Sequence, residues 1–508
     1  MDDTAVGVRA RMAAGLAAAA VALGVTQVLA VFFSPAADAR TAVGTAVINL
    51  TPGPVKEWAI QTFGTADKTF LTVMVVVVVA ALCSVAAIWE RTRIPLGSLT
   101  VMAAGAAGSL AVLAQPGARP IDIVPTVLGA ICGVIALRVL TAAAPRSGSG
   151  PDPDRRRSLL TLGLLGAGAL GGVAGTVLDR QRRSVAGERD TFSLPTPASP
   201  APPIPPGVQP AADGLPSFIT ANEDFYRIDT ALSVPQIARS DWTLRIHGMV
   251  DTEITYTLDD LAEFEVVQRA VTLTCVSNPV GGNLISNAIW TGYRVRDLLQ
   301  RSGIHPEADM VLSTSSDGFT AGTPVEALTD DRDALLAIGM NGVALPVEHG
   351  YPARLVVPGL YGFVSATKWV VDLELTRFDR AEAYWTRLGW SARAPIKTES
   401  RIDVPRDGQR LDAGRVTIGG VAWAQQRGIR AVEVRIDDGP WRPAQLGAAY
   451  SEDTWRLWTF DWEATSGRHT VTVRATDGTG EVQTEQYSPP APDGATGWPS
   501  ISVEVRQP

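Results

Sequence analysis

The chain has 508 residues, a formal net charge of −8 and 46% hydrophobic residues. At roughly 100–200 residues per domain, that length predicts several units. The acidic balance excludes nucleic acid as a partner, because phosphate binding needs a basic face. The three cysteines have no zinc-type spacing.

Composition divides the chain. Up to about residue 178 it is rich in Ala, Val, Leu and Gly; beyond 187 it reads as an ordinary soluble protein. Five apolar runs, 12–32, 69–89, 94–114, 121–141 and 158–178, are long enough to cross a bilayer. Small residues in the third and fourth let helices pack closely. Basic residues flank alternate ends: Arg9 and Arg11, then Arg91 and Arg93, then Arg146 and Arg155 to Arg157. The positive-inside rule puts these in the cytoplasm and everything after residue 178 outside it; Arg180, Arg182 and Arg183 oppose that orientation. Arg156-Arg157-Ser158-Leu159-Leu160 resembles a twin-arginine export signal and equally suits an ordinary positive flank. All four histidines (His247, His305, His349, His469) lie in the soluble half, so no bis-histidine haem is expected in the membrane. The spans carry almost no ionisable residues, which predicts an anchor or docking surface rather than an ion pathway.

Residues 184–214 are proline- and alanine-rich, and predict an extended, semi-rigid spacer. Residues 215–395 alternate short strand-like and helical runs. Leu244 to Gly248 and Arg354 to Val357 read as strands, Thr257 to Leu261 as a capped helix start, and Val295 to Leu299 as helix. That pattern is a mixed α+β domain. In residues 396–508, Val432, Val434 and Ile436 alternate with charges, as do Val471, Val473 and Ala475. Turns at Asp437-Asp438-Gly439 and Asp477-Gly478 follow them. Short alternating strands predict an immunoglobulin-like sandwich, structural or dimerising in role.

Cys275 is the one cysteine of the soluble half. It ends an alternating run (Val271, Leu273) and opens onto the turn-rich segment from Ser277 to Asn283. Three roles fit it: buried structural thiol, nucleophile with His349 as base, or soft metal ligand completed by a cofactor.

The soluble half resembles the sulfite-oxidase family of molybdopterin enzymes. Thr274-Cys275-Val276-Ser277-Asn278, continued by Trp290-Thr-Gly292, is similar to the segment whose cysteine binds molybdenum. His349-Gly-Tyr-Pro-Ala-Arg354 through Pro358-Gly359, Gly362 and Lys368-Trp369 resembles the pterin-holding region. Asn222 with Phe225-Tyr226 resembles the opening motif, and 419–480 the dimerisation domain. The resemblance implies a molybdenum–molybdopterin cofactor with Cys275 as the metal ligand. It implies that Asn222, Phe225, Tyr226, Ser315, His349, Arg354, Ala366, Thr367 and Lys368 bind the cofactor, with Arg354 and Lys368 on its phosphate. A soft thiolate suits a thiophilic metal, and a forked guanidinium suits a phosphate.

The sequence also departs from the family. The arginine that helps bind sulfite aligns with Ile228, with Arg227 one place earlier, where a slip of one residue turns a strand side chain over. The family's active-site tyrosine is absent before Asn341-Gly342, where Ile338-Gly339-Met340 stands. Arg227 is retained as the candidate substrate contact beside Cys275. The expectation is therefore a multi-pass membrane enzyme with an extracytoplasmic catalytic domain, exchanging an oxygen atom with a small sulfite-like oxyanion. An S-oxide or N-oxide reductase, and a cofactor-free binding module, are the alternatives. Expected partners are membrane lipid, a separate cytochrome or quinone-linked electron carrier, and a second copy bound through the C-terminal domain.

Overall fold

The computed structural model describes residues 6–63, 67–90, 95–142 and 153–507. Arg91, Arg93 and Arg146 of the predicted basic flanks lie outside these residues. The chain forms two compact units: Met1–Ser184 with Thr230–Val234, and Val185–Asp229 with Pro235–Pro508.

The first unit is helical: α1 Val8–Ala30, α2 Ala39–Leu50, α3 Gly53–Phe63, α4 Asp67–Ala86, α5 Leu96–Leu113, α6 Val124–Thr141 and α7 Pro153–Arg183. Among the described residues, five helices are long and apolar enough to cross a membrane. The two short helices α2 and α3 were not expected from the sequence. Asp38 caps α2 by accepting from the Arg40 and Thr41 N–H groups. Helix α1 packs against α4, α6 and α7 through small residues. A Cβ added at Gly133 would sit 2.9 Å from Ala22 Cβ, and one at Gly175 2.7 Å from the Gln27 backbone. Only glycine allows this approach. The five apolar runs hold two ionisable residues, Asp122 and Arg138, and Arg11 and Glu90 stand just beyond their ends. Arg11, Glu90 and Asp122 are buried. The Glu90 carboxylate accepts from Ser98 N–H and Oγ at 2.8 and 2.6 Å, and Arg138 Nε donates to the same Oγ at 3.3 Å. Each charge sits near a helix end with polar partners.

The second unit opens with α8 Ala186–Thr191. Residues 193–214 are extended, as expected, yet bonded along their length. Ala198 N–H donates to Val266 O at 2.8 Å, Ala448 N–H to Gly207 O at 2.8 Å, and Tyr450 Oη to Pro202 O at 2.7 Å. The segment is part of this unit, not a free spacer. Prolines supply carbonyl acceptors and little entropy to lose, which suits docking as well as spacing.

Ten strands follow: β1 Thr243–Gly248, β2 Ile254–Thr257, β3 Val266–Thr274, β4 Ile285–Arg294, β5 Met310–Ser315, β6 Thr320–Pro324, β7 Leu335–Met340, β8 Val343–Ala344, β9 Arg354–Val356 and β10 Val370–Thr376, with α9 Val295–Ser302 and α10 Val325–Thr329. They form a mixed sheet, β2-β1-β10-β5-β6, and a second sheet, β3-β4-β7-β8, with β9 on β7. Strand β3 is an edge. Near-continuous burial along β3 and β4 sets Val271, Leu273, Ala288 and Trp290 in one apolar cluster under the candidate site.

The C-terminal part is all-β: β11 Glu399–Val404, β12 Arg410–Asp412, β13 Gly414–Trp423, β14 Ile429–Ile436, β15 Arg442–Pro443, β16 Gln445–Leu446, β17 Arg456–Ala464, β18 Gly467–Asp477 and β19 Ser500–Arg506. Two sheets, β11-β13-β17-β16 and β12-β19-β18-β14-β15, face each other. Ile418, Trp458 and Phe460 meet Val432, Val434, Val471 and Val473 in the sandwich core. The first sheet buries its other face too: Val421, Trp423 and Leu457 join the core of the α+β part.

Candidate active site

Cys275 is the first residue beyond β3. Its N–H donates to Leu284 O at 2.9 Å, and its carbonyl accepts from Asn278 N–H at 3.1 Å. Asn278 Oδ1 accepts from Leu284 N–H at 2.8 Å, closing the turn from inside. Gly281, at φ +70°, allows the chain to reverse there. Burial pushes the thiol pKa up, while the Ser277 N–H and hydroxyl and the charge of Lys368 pull the other way. In this protein state the thiol prefers its proton; a bound metal would displace it.

The other residues arrive from three loops. Phe225 stacks on Tyr226 and meets Trp290 and His349 edge-on, with centroids 5.5–5.6 Å apart. Tyr226 N–H donates to Ser286 Oγ at 3.1 Å. Burial, then the Cys275 thiol, raises the Tyr226 pKa, so the phenol stays neutral. His349 Nε2 lies 3.1 Å from Asn222 O. A carbonyl can only accept, so Nε2 carries the proton and Nδ1 is left as an acceptor. Burial, with Lys368 and Arg354 adding to it, lowers the His349 pKa to about 3. Asn222 Oδ1 accepts from Asn341 Nδ2 at 2.8 Å, and Asn341 also donates to Thr220 O at 2.9 Å.

Arg354, at the start of β9, is 4% exposed. Its guanidinium donates to the carbonyls of Leu355, His349 and Ala366 at 3.3, 3.1 and 3.4 Å and lies 5.0 Å from the Trp290 ring centroid. Among the described residues it has no carboxylate partner. Burial lowers its pKa to about 10. Gly350, at φ +113°, separates Arg354 from Lys368: a Cβ there would sit 2.9 Å from Arg354 Cβ and 3.2 Å from Lys368 Cβ. Lys368 Nζ donates to Asp229 Oδ2 at 3.0 Å and Glu348 O at 3.2 Å. Burial lowers its pKa to about 8, although Asp229 opposes the shift. Arg227 Nε reaches the same Asp229 oxygen at 2.9 Å.

The structure thus brings Asn222, Phe225, Tyr226, His349, Arg354, Ala366 and Lys368 around the Cys275 turn. Thr367 faces elsewhere: its Oγ1 lies 2.7 Å from Ser313 Oγ in the core, and its carbonyl accepts from Leu355 N–H at 2.9 Å. Ser315 is buried at the end of β5 and accepts from Asp317 N–H at 3.4 Å. Arg227 is held by Asp229. Sequence reasoning missed Asp229, whose signal was its place two residues after Arg227 on an extended segment. It also missed Tyr361, a fully buried phenol whose pKa is raised by burial and then by Glu399.

The donor set suits the implied cofactor. A buried guanidinium without a carboxylate, beside a lysine, offers charge for an anion. A turn-borne thiol offers the single soft ligand.

Residues 231–385 match the oxidoreductase molybdopterin-binding domain family, and residues 399–473 match a bacterial Ig domain. Sulfite oxidase from Homo sapiens is 28% identical over 322 residues, covering 54% of this chain and 58% of that protein. This chain therefore spans little more than half of that relative. The uncharacterized oxidoreductase YuiH of Bacillus subtilis (strain 168) is 30% identical over 152 residues, 73% of its length. The solved sulfane dehydrogenase SoxCD from Paracoccus pantotrophus has the same fold over 56% of this chain, with a TM-score of 0.50 at 24% identity. The motifs, the site they build and these relatives agree: the chain belongs to the sulfite-oxidase family of molybdopterin oxidoreductases.

Proposed function

We propose that the protein is a membrane-anchored oxidoreductase with its catalytic domain outside the cytoplasm, exchanging an oxygen atom with a small oxo-acceptor of sulfite type. The observation that carries this is the buried, carboxylate-free Arg354 beside Lys368 and His349, facing the turn that bears Cys275. When bound, the molybdenum–pterin group supplies two-electron oxygen-atom exchange.

The chain's residues do the rest. Cys275 gives its thiolate to the metal, with the Ser277 N–H and hydroxyl supporting the charge on sulfur. Arg354 and Lys368 hold the pterin phosphate, the first as a fork and the second as a point charge. His349 Nδ1 accepts from the pterin, its ring fixed by Asn222. Phe225 and Tyr226 line the cofactor, and the Ser315, Ala366 and Thr367 backbones close the phosphate side. Electrons pass to a separate carrier, and the Arg156-Arg157 segment serves export of the folded, loaded domain. A second copy docks through the C-terminal sandwich.

The bond from Arg227 to Asp229 favours a second reading of the substrate. A guanidinium already neutralised by a carboxylate attracts an anion weakly, which suits a neutral S-oxide or N-oxide. The test is molybdenum and pterin analysis of wild type and Cys275→Ser, followed by turnover of sulfite, sulfoxides and N-oxides. Equimolar molybdenum in wild type and robust sulfite turnover support the first reading. Sulfoxide turnover alone supports the second, and wild-type protein without molybdenum overturns both.

A further inference from the structure

Among the polar contacts of the C-terminal sandwich with the α+β part, which include Trp455 Nε1 donating to Phe218 O at 2.9 Å and Ser391 N–H donating to Pro492 O at 3.0 Å, one group gathers at the end of β3. Gln425, just after β13, is 1% exposed. Its Nε2 donates to Thr272 O at 2.9 Å and reaches Thr274 Oγ1 at 3.4 Å. The turn before β17 adds two bonds to the same residue: Thr272 N–H donates to Asp453 O at 2.9 Å, and Trp455 N–H donates to Thr272 Oγ1 at 2.8 Å. Arg401 of β11 donates to Gly282 O at 3.3 Å, and a Cβ at Gly281 would touch Pro499 at 3.1 Å. Every contact of this group falls on the last three residues of β3 or on the turn that follows Cys275.

Two details separate this from ordinary domain packing. Gln425 Oε1 is buried with no hydrogen-bond partner. An orphan acceptor is a cost that an apolar residue would avoid, so the side chain is kept for its amide donor. Thr272 also passes the contact inward: its Oγ1 donates to Asn287 Oδ1 at 3.0 Å, and Asn287 Nδ2 donates to Phe218 O at 2.8 Å. The strand end is thereby held from the sandwich side and from the segment leading to Asn222.

We infer that the sandwich is a positioning element of the metal site, with Gln425 as the residue that fixes the end of β3 and so the direction of the Cys275 thiol. It touches neither substrate nor cofactor and acts through Thr272 and Thr274. The inference rests on Cys275 being the metal ligand, and a separate readout tests each.

The experiment uses the full chain in detergent. Cofactor-free protein, made in a host that cannot synthesise the pterin, is treated with iodoacetamide, and alkylation of Cys275 is followed by peptide mass spectrometry. Gln425→Ala is compared with Gln483→Ala. Gln483 is buried within the sandwich and bonds to Ser400, Ala475 and Gly497, away from β3. Gln425→Ala is expected to raise the alkylation rate about five-fold, the equivalent of one lost hydrogen bond, while Gln483→Ala lowers Tm and leaves the rate at the wild-type value. In loaded protein, Gln425→Ala should retain molybdenum about ten-fold less tightly through dialysis. Gln425→Glu, which cannot donate to Thr272 O, should behave like the alanine variant and stands in if that variant does not fold. Equal alkylation rates for wild type and both Gln425 variants overturn the positioning role. Wild-type protein without molybdenum overturns the ligand role of Cys275 instead, whatever the alkylation rates.

Discussion

Two clusters of cationic side chains lie in the α+β part, and they are built differently. Around Asp333, Arg269, Arg294 and Arg296 converge on one carboxylate at 2.7, 3.2 and 2.6 Å, with Glu265 taking a further bond from Arg294. Around Cys275, Arg354 has only carbonyls as hydrogen-bond partners among the described residues, and Lys368 shares Asp229 with Arg227. With Asp297 3.9 Å from both Arg294 and Arg296, three carboxylates face three guanidiniums, and the first cluster is balanced within itself. The second holds more buried positive charge than its one carboxylate balances, which is costly unless an anion joins it. Counter-charge, not the number of arginines, separates a structural network from a binding site.

The comparison can be tested from its strongest consequence to its weakest. Cys275→Ser should reduce turnover to background while Tm stays near wild type, since one sulfur is exchanged for oxygen in a half-buried turn; calorimetry alongside steady-state assays checks it. Arg354→Gln should weaken cofactor binding by about 2 kcal/mol, measured by pterin release, and could even stabilise the cofactor-free chain. Arg296→Gln should leave cofactor binding untouched and cost stability by no more than about 1 kcal/mol, measured by urea unfolding. If both arginine variants release the pterin equally, the distinction between the clusters fails.

Lys368 gives a pH signature. Its proton is lost through about pH 8 in the cofactor-free protein. Pterin uptake should therefore be strongest below that pH and fall above it. Lys368→Arg should move the fall to higher pH, because a guanidinium keeps its charge. A second pH signature concerns Glu399, whose carboxyl is raised to about 8 by burial, with Lys397 opposing. The folded chain keeps this proton where the unfolded chain has released it. That stabilising contribution is complete below the usual carboxylate range and is lost as pH rises towards about 8. Glu399→Gln should raise Tm relative to wild type at pH 8, and the difference should vanish near pH 4.

On the residues alone Cys275 kept three possible roles, and it was the resemblance, carried by the short contiguous motifs Cys275 to Asn278 and His349 to Arg354, that implied the chemistry of the site. Asp229, Asn341 and Gln425 act across long separations, and no local pattern announces an amide that will meet a strand 150 residues earlier. The 193–214 segment was legible as extended but not as docked, since the groups it uses, the Ala198 N–H towards Val266 O and the Pro202 carbonyl towards Tyr450, are backbone groups that no side-chain pattern marks. The buried Glu90 escaped for a different reason: it stands just past the end of the second apolar run, where a charged flank is expected to be solvated.

Strand β3 is an edge strand whose outer side is covered from two distant parts of the chain, residues 198–199 near its start and Asp453 near its end. An uncovered edge pairs readily with other chains. During synthesis the second cover is missing until nearly 180 residues after Cys275 have been made. The ligand-bearing strand thus passes through a window in which it is exposed to mispairing, and the sandwich ends that window as it folds.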